Sequence, residues 1–352
     1  MRQPLSPTGR QKIDPSQINK VLIIRLRRIG DIIMTTPAVS ALRKGLPNAF
    51  ISYLVEEPYR ELVEGNPDLD KVIVIEKDQS KKSLLKLIRQ IRKEKFDVVL
   101  DFHGGPRASL VTWLSKARLK IGYKIKYRNF IYHIKLPRKP QKGHFHSVEN
   151  HLNFVRALGI HIDPPPPLYL PPPQKNEVKK VEKFVEENGL EGFKIVVIHI
   201  SAGNEFRDWG KSNWVKLIHL LSKRPQVKTV LIGADEDRMA EKKILKESKG
   251  SIHSLVGKLN LREVRELISQ SSLFVGPDSG PMHIAASTST PIVALFGPTL
   301  PANFAPWEAI ATLIEKKLDC RPCKQRQCVH EDFRCLRSIT PEEVYQACLR
   351  FI

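Results

Sequence analysis

The sequence predicts an α/β protein built of two Rossmann-like, doubly wound parallel-sheet domains facing each other across a cleft. Three observations lead there. Short, continuously apolar runs alternate with helical segments, the pattern of parallel sheets covered on both faces. The chain has 352 residues, more than one small core requires and suited to two domains. A proline tract, PPPPLYLPPP at 164–173, cannot enter a helix or a sheet interior and reads as a stiff spacer dividing the alternation in two. The expected domains are 1–168 and 174–335, followed by a terminal segment at 336–352.

In the first half VLIIRL is a strand, DIIMTTPAVSALRKGLP a helix, FISYLVE and KVIVIE strands, KSLLKLIRQIRKEK a helix, and FDVVLDFHG a strand. In the second half KIVVIHIS, KTVLIGA, SLFVG and PIVALFG are strands. Helices are expected at NWVKLIHLLSK, DRMAEKKILKES and REVRELISQS. Ligands of such sheets gather at the carboxyl ends of the strands. No GxGxxG follows the first strand, which argues against a dinucleotide site.

Composition sets outer limits on function. Hydrophobic residues at 41% and charged residues at 27% describe a soluble globular protein. With 58 Lys and Arg against 37 Asp and Glu, the formal charge is +21, which predicts an anionic partner. A lysine-rich, thermophile-like surface accounts for part of that excess. RNP-like aromatic motifs, paired-histidine zinc fingers and zippers are missing from the sequence, so no nucleic-acid partner is expected. The opening MRQPLSPTGRQKIDPSQ lacks the apolar core of a signal peptide. VLIIRLRRIGDIIMTTPAV is interrupted by Arg25, Arg27, Arg28 and Asp31 and cannot span a bilayer. A cytoplasmic protein is expected, meeting membranes only at its surface.

The strand ends hold the candidate chemistry. Near the C-terminus SLFVG runs into GPDSGPMHIAA and then PIVALFGPT. Gly276 and Gly280 suit a tight turn with close ligand approach. Ser279 or Asp278 can cap the short helix, and Pro281 suits its first turn. Free N–H groups there would point at a phosphate, with Met282 and His283 one position further on. The same pattern serves an ordinary capped connection, and spacing leaves the two readings open. After the first strand, Gly30 permits a turn and Asp31 lands at the start of the next helix. It is either a dipole-stabilised carboxylate or a general base for a substrate hydroxyl. Arg25, Arg27 and Arg28 beside it suit an acidic acceptor, or merely decorate the turn. In HISAGNEFRDWGKSNW, Ser201, Ala202 and Gly203 form a small-residue turn fit to hold phosphate through backbone amides. Arg207 could neutralise a diphosphate with two donors, while Trp209 and Trp214 read as packing residues. In GADEDR, Glu236 and Asp237 are placed to accept ribose hydroxyls, or simply sit in a solvated loop.

Cys320, Cys323, Cys328 and Cys335 give C-x2-C-x4-C-x6-C, with His330 inside the run and Cys348 outside it. In an intracellular chain such clustering is read as structural zinc before disulfides. The spacing matches no common zinc finger, so zinc, disulfides and free thiols all stay open.

The segments RLRRIGDIIMTTPAVSALRKGLPNA, DVVLDFHG, HISAGNEFRDWGKSNW, LIGADEDR and GPDSGPMHIAASTSTPIVALFGPT together resemble glycosyltransferase family nine, the ADP-heptose:lipopolysaccharide heptosyltransferases. The likeness runs in order from about Val21 to the C-terminus. It implies a GT-B fold with the sugar nucleotide held mainly by the second domain, and inversion at the heptose anomeric carbon with no metal required. Asp31 matches the family's proposed base, and the Asp278–His283 segment matches the loop that binds the ADP diphosphate. Arg207 falls where many relatives carry Lys in K-x-W-P; RDWG keeps the charge and changes its shape. Ser279 stands where many carry Thr. The implied donor is ADP-L-glycero-D-manno-heptose. The implied acceptor is the acidic lipopolysaccharide inner core on lipid A, met at the anionic cytoplasmic face of the inner membrane, where a +21 protein is suited to work. ITPEEVYQACLRFI resembles the family's final helix, which in a GT-B fold commonly crosses back to the first domain. Whether Kdo or a first heptose is the acceptor does not follow from these motifs. The competing readings are a GT-B transferase or an epimerase acting on another nucleotide sugar, and, from a different class, a non-catalytic basic anion-binding module.

Overall fold

A computed structural model describes residues 14–77, 80–138, 145–248 and 252–352; the opening residues 1–13 lie outside them. The chain divides into two compact units, Met1–Pro171 and Pro172–Ile352.

The first unit runs β1 (Lys20–Ile24), α1 (Ile29–Ile33), α2 (Thr36–Gly45), β2 (Phe50–Glu56), β3 (Lys71–Ile75), α3 (Lys81–Glu94), β4 (Val98–Asp101), α4 (Pro106–Leu114), β5 (Leu119–Tyr123), β6 (Ile134–Leu136) and α5 (Ser147–Arg156). Its six strands lie in the order β3-β2-β1-β4-β5-β6, all parallel. Val21 of β1 stands between Ile51 and Val98. After Lys20, side chains with no polar atoms fill β1, which is why a central strand with helices on both faces can bury Val21, Leu22, Ile23 and Ile24 completely. Leu87 and Ile91 of α3 and Ala108 and Val111 of α4 pack against Leu22, Ile24 and Val99 on one face.

The single helix expected over DIIMTTPAVSALRKGLP is two. Pro37 sits in the first turn of α2, where its missing N–H costs nothing, but it cannot continue the ladder from α1. Thr35 and Thr36 cover the break by donating to the carbonyls of Ile32 and Ile33 at 2.7 Å. The proline tract also differs from a free spacer. Leu168, Leu170 and Pro171 are buried, and the Tyr169 amide donates to Thr36 Oγ1 at 2.9 Å, so the extended chain is built into the first unit as far as Pro171.

The second unit runs α6 (Lys175–Glu187), β7 (Lys194–His199), α7 (Lys211–Ser222), β8 (Val227–Ile232), α8 (Arg238–Glu247), β9 (Ile252–Ser254), α9 (Leu261–Ser269), β10 (Leu273–Pro277), α10 (Gly280–Ala285), β11 (Ile292–Phe296), α11 (Pro301–Phe304), β12 (Ala311–Glu315), α12 (Arg334–Arg337) and α13 (Pro341–Cys348). The strand order is β12-β11-β10-β7-β8-β9, again parallel throughout. Both sheets reverse direction of growth beside their first strand, between β1 and β4 and between β7 and β10, and such switch points are where open α/β sheets bind ligands.

The C-terminal helix packs into the second unit's core. Val344, Ala347 and Cys348 pack with Trp214 and Leu217 of α7, and the Trp209 indole donates to Ile339 O at 2.8 Å. No helix among the described residues is long and apolar enough to cross a membrane.

Candidate active site

In the first unit, the chain leaves β1 through Arg25–Arg28 and enters α1 with Asp31 in its first turn. The left-handed backbone of this turn falls on Arg28, φ 73°, rather than on Gly30, which lies inside α1. Asp31 is half-buried and pairs with the Arg25 guanidinium. Arg25 itself is 5% exposed and donates to Phe102 O at 2.8 Å. Arg25 therefore orients the carboxylate from below, whereas Arg27 and Arg28 are exposed beside it.

Residues that the motifs did not single out complete this strand end. Asp101, fully buried at the end of β4, accepts from the Gly104 amide at 2.8 Å and from Tyr132 Oη at 2.5 Å. His103 follows it. Burial, and then the Arg25 and Arg27 charges, push its imidazole down to about 4, so it is neutral near pH 7. The run DVVLDFHG held the signal for both residues, a strand ending on chemistry-bearing side chains.

In the second unit, the β7 and β10 ends come together. Arg207, just after β7, donates from Nη1 to Asp278 O at 2.9 Å, 3.4 Å from the Asp278 carboxylate. Asp278 is 4% exposed and accepts from Thr299 Oγ1 at 2.6 Å. Neither Asp278 nor Ser279 caps α10 as expected. Pro281 removes one of the two N–H groups that a cap can take, while Asp278 accepts from Thr299 and Ser279 Oγ meets His199 Nδ1 at 3.0 Å. Burial holds the His199 imidazole down at about 3, leaving it a neutral partner for the hydroxyl. Gly276 serves close packing: an added Cβ there would sit 3.2 Å from His199 Cβ and 3.1 Å from the Phe274 ring.

The remaining expected donor residues divide. Gly203 has φ +62°, and its amide donates to Ser201 Oγ at 3.1 Å, so Ser201, Ala202 and Gly203 do form a tight turn, partly exposed. Gly280 and Pro281 open α10, and His283 is 3% exposed. Met282 has no exposed surface; its place is in the core beneath the loop. Asp237 accepts from the Ala234 amide at 2.8 Å and shapes its own turn, while Glu236 is exposed.

The cysteine-rich segment braces this half. Gln325 Oε1 receives Arg207 Nε at 3.1 Å and Asn204 Nδ2 at 2.9 Å, and Arg321 holds Thr299 O at 2.8 Å. Cys320, Cys323, Cys328 and Cys335 line one cavity of about 40 Å³. None of the five cysteines is bridged to another. Among the described residues no group of three or more His, Cys, Asp or Glu side chains is placed to hold a metal. Burial and the neighbouring thiols push Cys335 up to about 11.

The profile of glycosyltransferase family 9 (heptosyltransferase) matches residues 84–333. The chain belongs to this family. It is a glycosyltransferase. Lipopolysaccharide heptosyltransferase 3 of Escherichia coli is 27% identical over 80% of this chain and 84% of its own length. Lipooligosaccharide heptosyltransferase 2 of Campylobacter jejuni subsp. jejuni serotype O:6 is 27% identical over 90% of this chain and 94% of its own. Among solved structures, a family 9 glycosyl transferase from Veillonella parvula superposes with TM-score 0.86 at 23% identity, covering 97% of this chain and 99% of that one. The E. coli heptosyltransferase WaaC with ADP superposes with TM-score 0.71 at 18% identity, covering 95% and 100%. These likenesses establish the GT-B fold for this glycosyltransferase.

Proposed function

We propose that this glycosyltransferase moves heptose from ADP-L-glycero-D-manno-heptose to the phosphorylated inner core of a lipopolysaccharide, with inversion at the anomeric carbon. The observation that carries the reading is Arg207 seated on the Asp278 loop where β7 and β10 end, inside the segment matched by the family. In this mechanism Asp31, oriented by Arg25, takes the proton of the acceptor hydroxyl as that oxygen attacks the anomeric carbon. The glycosidic C–O bond breaks, and the electron pair leaves on the β-phosphate of ADP. The Arg207 guanidinium, fixed by Gln325 and Asp278 O, stabilises the developing charge with two donors in a site made ready beforehand. Backbone amides of the 201–203 turn and of the 278–281 loop supply further donors, and Ser279 adds a hydroxyl. No step is routed through a metal. Arg27 and Arg28 meet the acidic acceptor, which the reading places at the cytoplasmic face of an anionic membrane.

A thermal-shift series with ADP, UDP and GDP tests the donor half. Selective stabilisation by ADP is expected, because a ligand that binds only the folded state raises the melting point by mass action. Equal shifts for all three diphosphates would remove ADP-heptose as the donor.

A further inference from the structure

We propose that the outer face of the α3 and α4 layer, together with the loop joining β5 to β6, is a docking surface for a bilayer of anionic phospholipid. Between residues 81 and 138 the chain carries 16 Lys and Arg against three acids, Glu94, Asp97 and Asp101. About a sixth of the chain thus supplies 13 of its 21 surplus positive charges. Of these cations the three acids engage only Arg118 among the ion pairs seen. Glu94 is held by Lys71 at 2.7 Å and Lys20 at 3.4 Å. Asp97 receives the Asn19 and Lys20 amides and Arg118. Asp101 is buried under Tyr132. Lys82, Lys86, Arg89 and Lys93 of α3 and Lys124 and Lys126 of the loop are exposed.

Large apolar side chains stand among these cations. Leu85 and Trp113 are each 50% exposed, Phe130 72% and Tyr127 82%, whereas Trp209 and Trp214 are wholly buried. Trp113 and Phe130 meet edge to face at 6.0 Å, and Lys126 Nζ lies 5.0 Å from the Tyr127 ring centre. Because Leu87, Ile91, Ala108 and Val111 all point into the same core, the opposite faces of α3 and α4 look outward together. Arg92 Nε ties them by donating to Leu114 O at 2.7 Å.

Aromatic rings within a basic surface are what the headgroup region accepts. The rings lie at the boundary between tails and water, and the ammonium and guanidinium groups meet lipid phosphates. Nucleic acid fits less well, since it stacks bases on open ring faces and Trp113 and Phe130 are turned against each other. The proposal rests on the reading that the acceptor is lipid-borne, but it is tested without donor or transfer.

The full chain is sedimented with vesicles of phosphatidylglycerol and phosphatidylethanolamine, or of phosphatidylcholine, at low and high salt, while tryptophan emission is followed. Binding at least about tenfold tighter to the anionic vesicles, weakened by salt and accompanied by a blue shift that Trp113→Ser removes, is expected. Trp113→Ser with Phe130→Ser should weaken binding about fivefold or more, and Lys82→Glu, Lys86→Glu, Lys124→Glu and Lys126→Glu together should abolish it. Equal binding to both vesicle types overturns the proposal, as do variants that bind like the parent chain. So do tighter binding to an oligonucleotide than to anionic vesicles, and a change of oligomer size in the aromatic variant while vesicle binding persists.

Discussion

Removing the Arg207 guanidinium should cost the enzyme most of its affinity for ADP. Arg207 lies 3.4 Å from the buried Asp278 carboxylate and donates to Asp278 O at 2.9 Å and Gln325 Oε1 at 3.1 Å. At an effective dielectric of about 20 the gross attraction of the ion pair is about 5 kcal/mol, most of it offset by desolvation. The net value of a hydrogen bond to a charged group is about 1.5–3 kcal/mol, and the same scale applies to the diphosphate. Arg207→Ala is therefore expected to raise the Kd for ADP by about 10- to 150-fold. It also strands Asp278 with Thr299 alone, at about 1–3 kcal/mol, which lowers the melting point by about 2–4 °C per kcal/mol in a unit of this size. Arg207→Lys keeps the charge without the planar fork, so its affinity should fall between the two. Titration calorimetry with ADP at fixed salt reads all three. A folded Arg207→Ala that binds ADP within about twofold of the parent would refute the reasoning.

Two further outcomes follow from burial. Since the folded chain holds His199 down at about 3, against an ordinary value of 6.5, only the unfolded state takes up its proton as pH falls through 6.5. Stability is thus full above pH 6.5 and lost below it, by about 1.4 kcal/mol per pH unit toward pH 3. In urea titrations at pH 6, 5 and 4, His199→Asn should flatten the fall by that slope, and an unchanged slope would contradict it. Gly122→Ala would place a Cβ 2.2 Å from the Tyr132 ring, which Asp101 and Ser109 hold in place; a loss of about 1–3 kcal/mol is expected, measured by denaturant midpoint.

The central strands were legible because their apolar runs are uninterrupted: VLII, FISYLVE, KIVVIH and PIVALF each became strands within a residue or two. Of the edge strands only β3 was legible, as KVIVIE, and the interior β5 was missed with the others. β6 and β9 have three residues each, β12 is only partly buried and β5 carries Lys120 and Gly122, so none of these shows a continuous apolar run. The break between α1 and α2 could have been read from Pro37, since proline ends a ladder wherever it falls. The candidate site was visible where a residue lies in the segment that leaves a strand's carboxyl end, directly for Asp278 and a short turn later for Asp31 and Arg207. Partners distant in sequence were not visible. Thr299, Gln325 and Tyr132 reach Asp278, Arg207 and Asp101 from 21, 118 and 31 positions away, and only folding brings them there. Arg25 shows the converse, a cation whose neighbourhood suggested a ligand and whose burial commits it to Asp31.

The measurement that bears most directly on the account is the initial rate of heptose transfer from ADP-heptose to a truncated lipopolysaccharide acceptor by Asp31→Asn, alongside its affinity for ADP. The account predicts a rate lower by about 10²- to 10⁴-fold, the usual weight of a general base, with ADP binding unchanged. Transfer at the parent rate by a folded Asp31→Asn enzyme would contradict it.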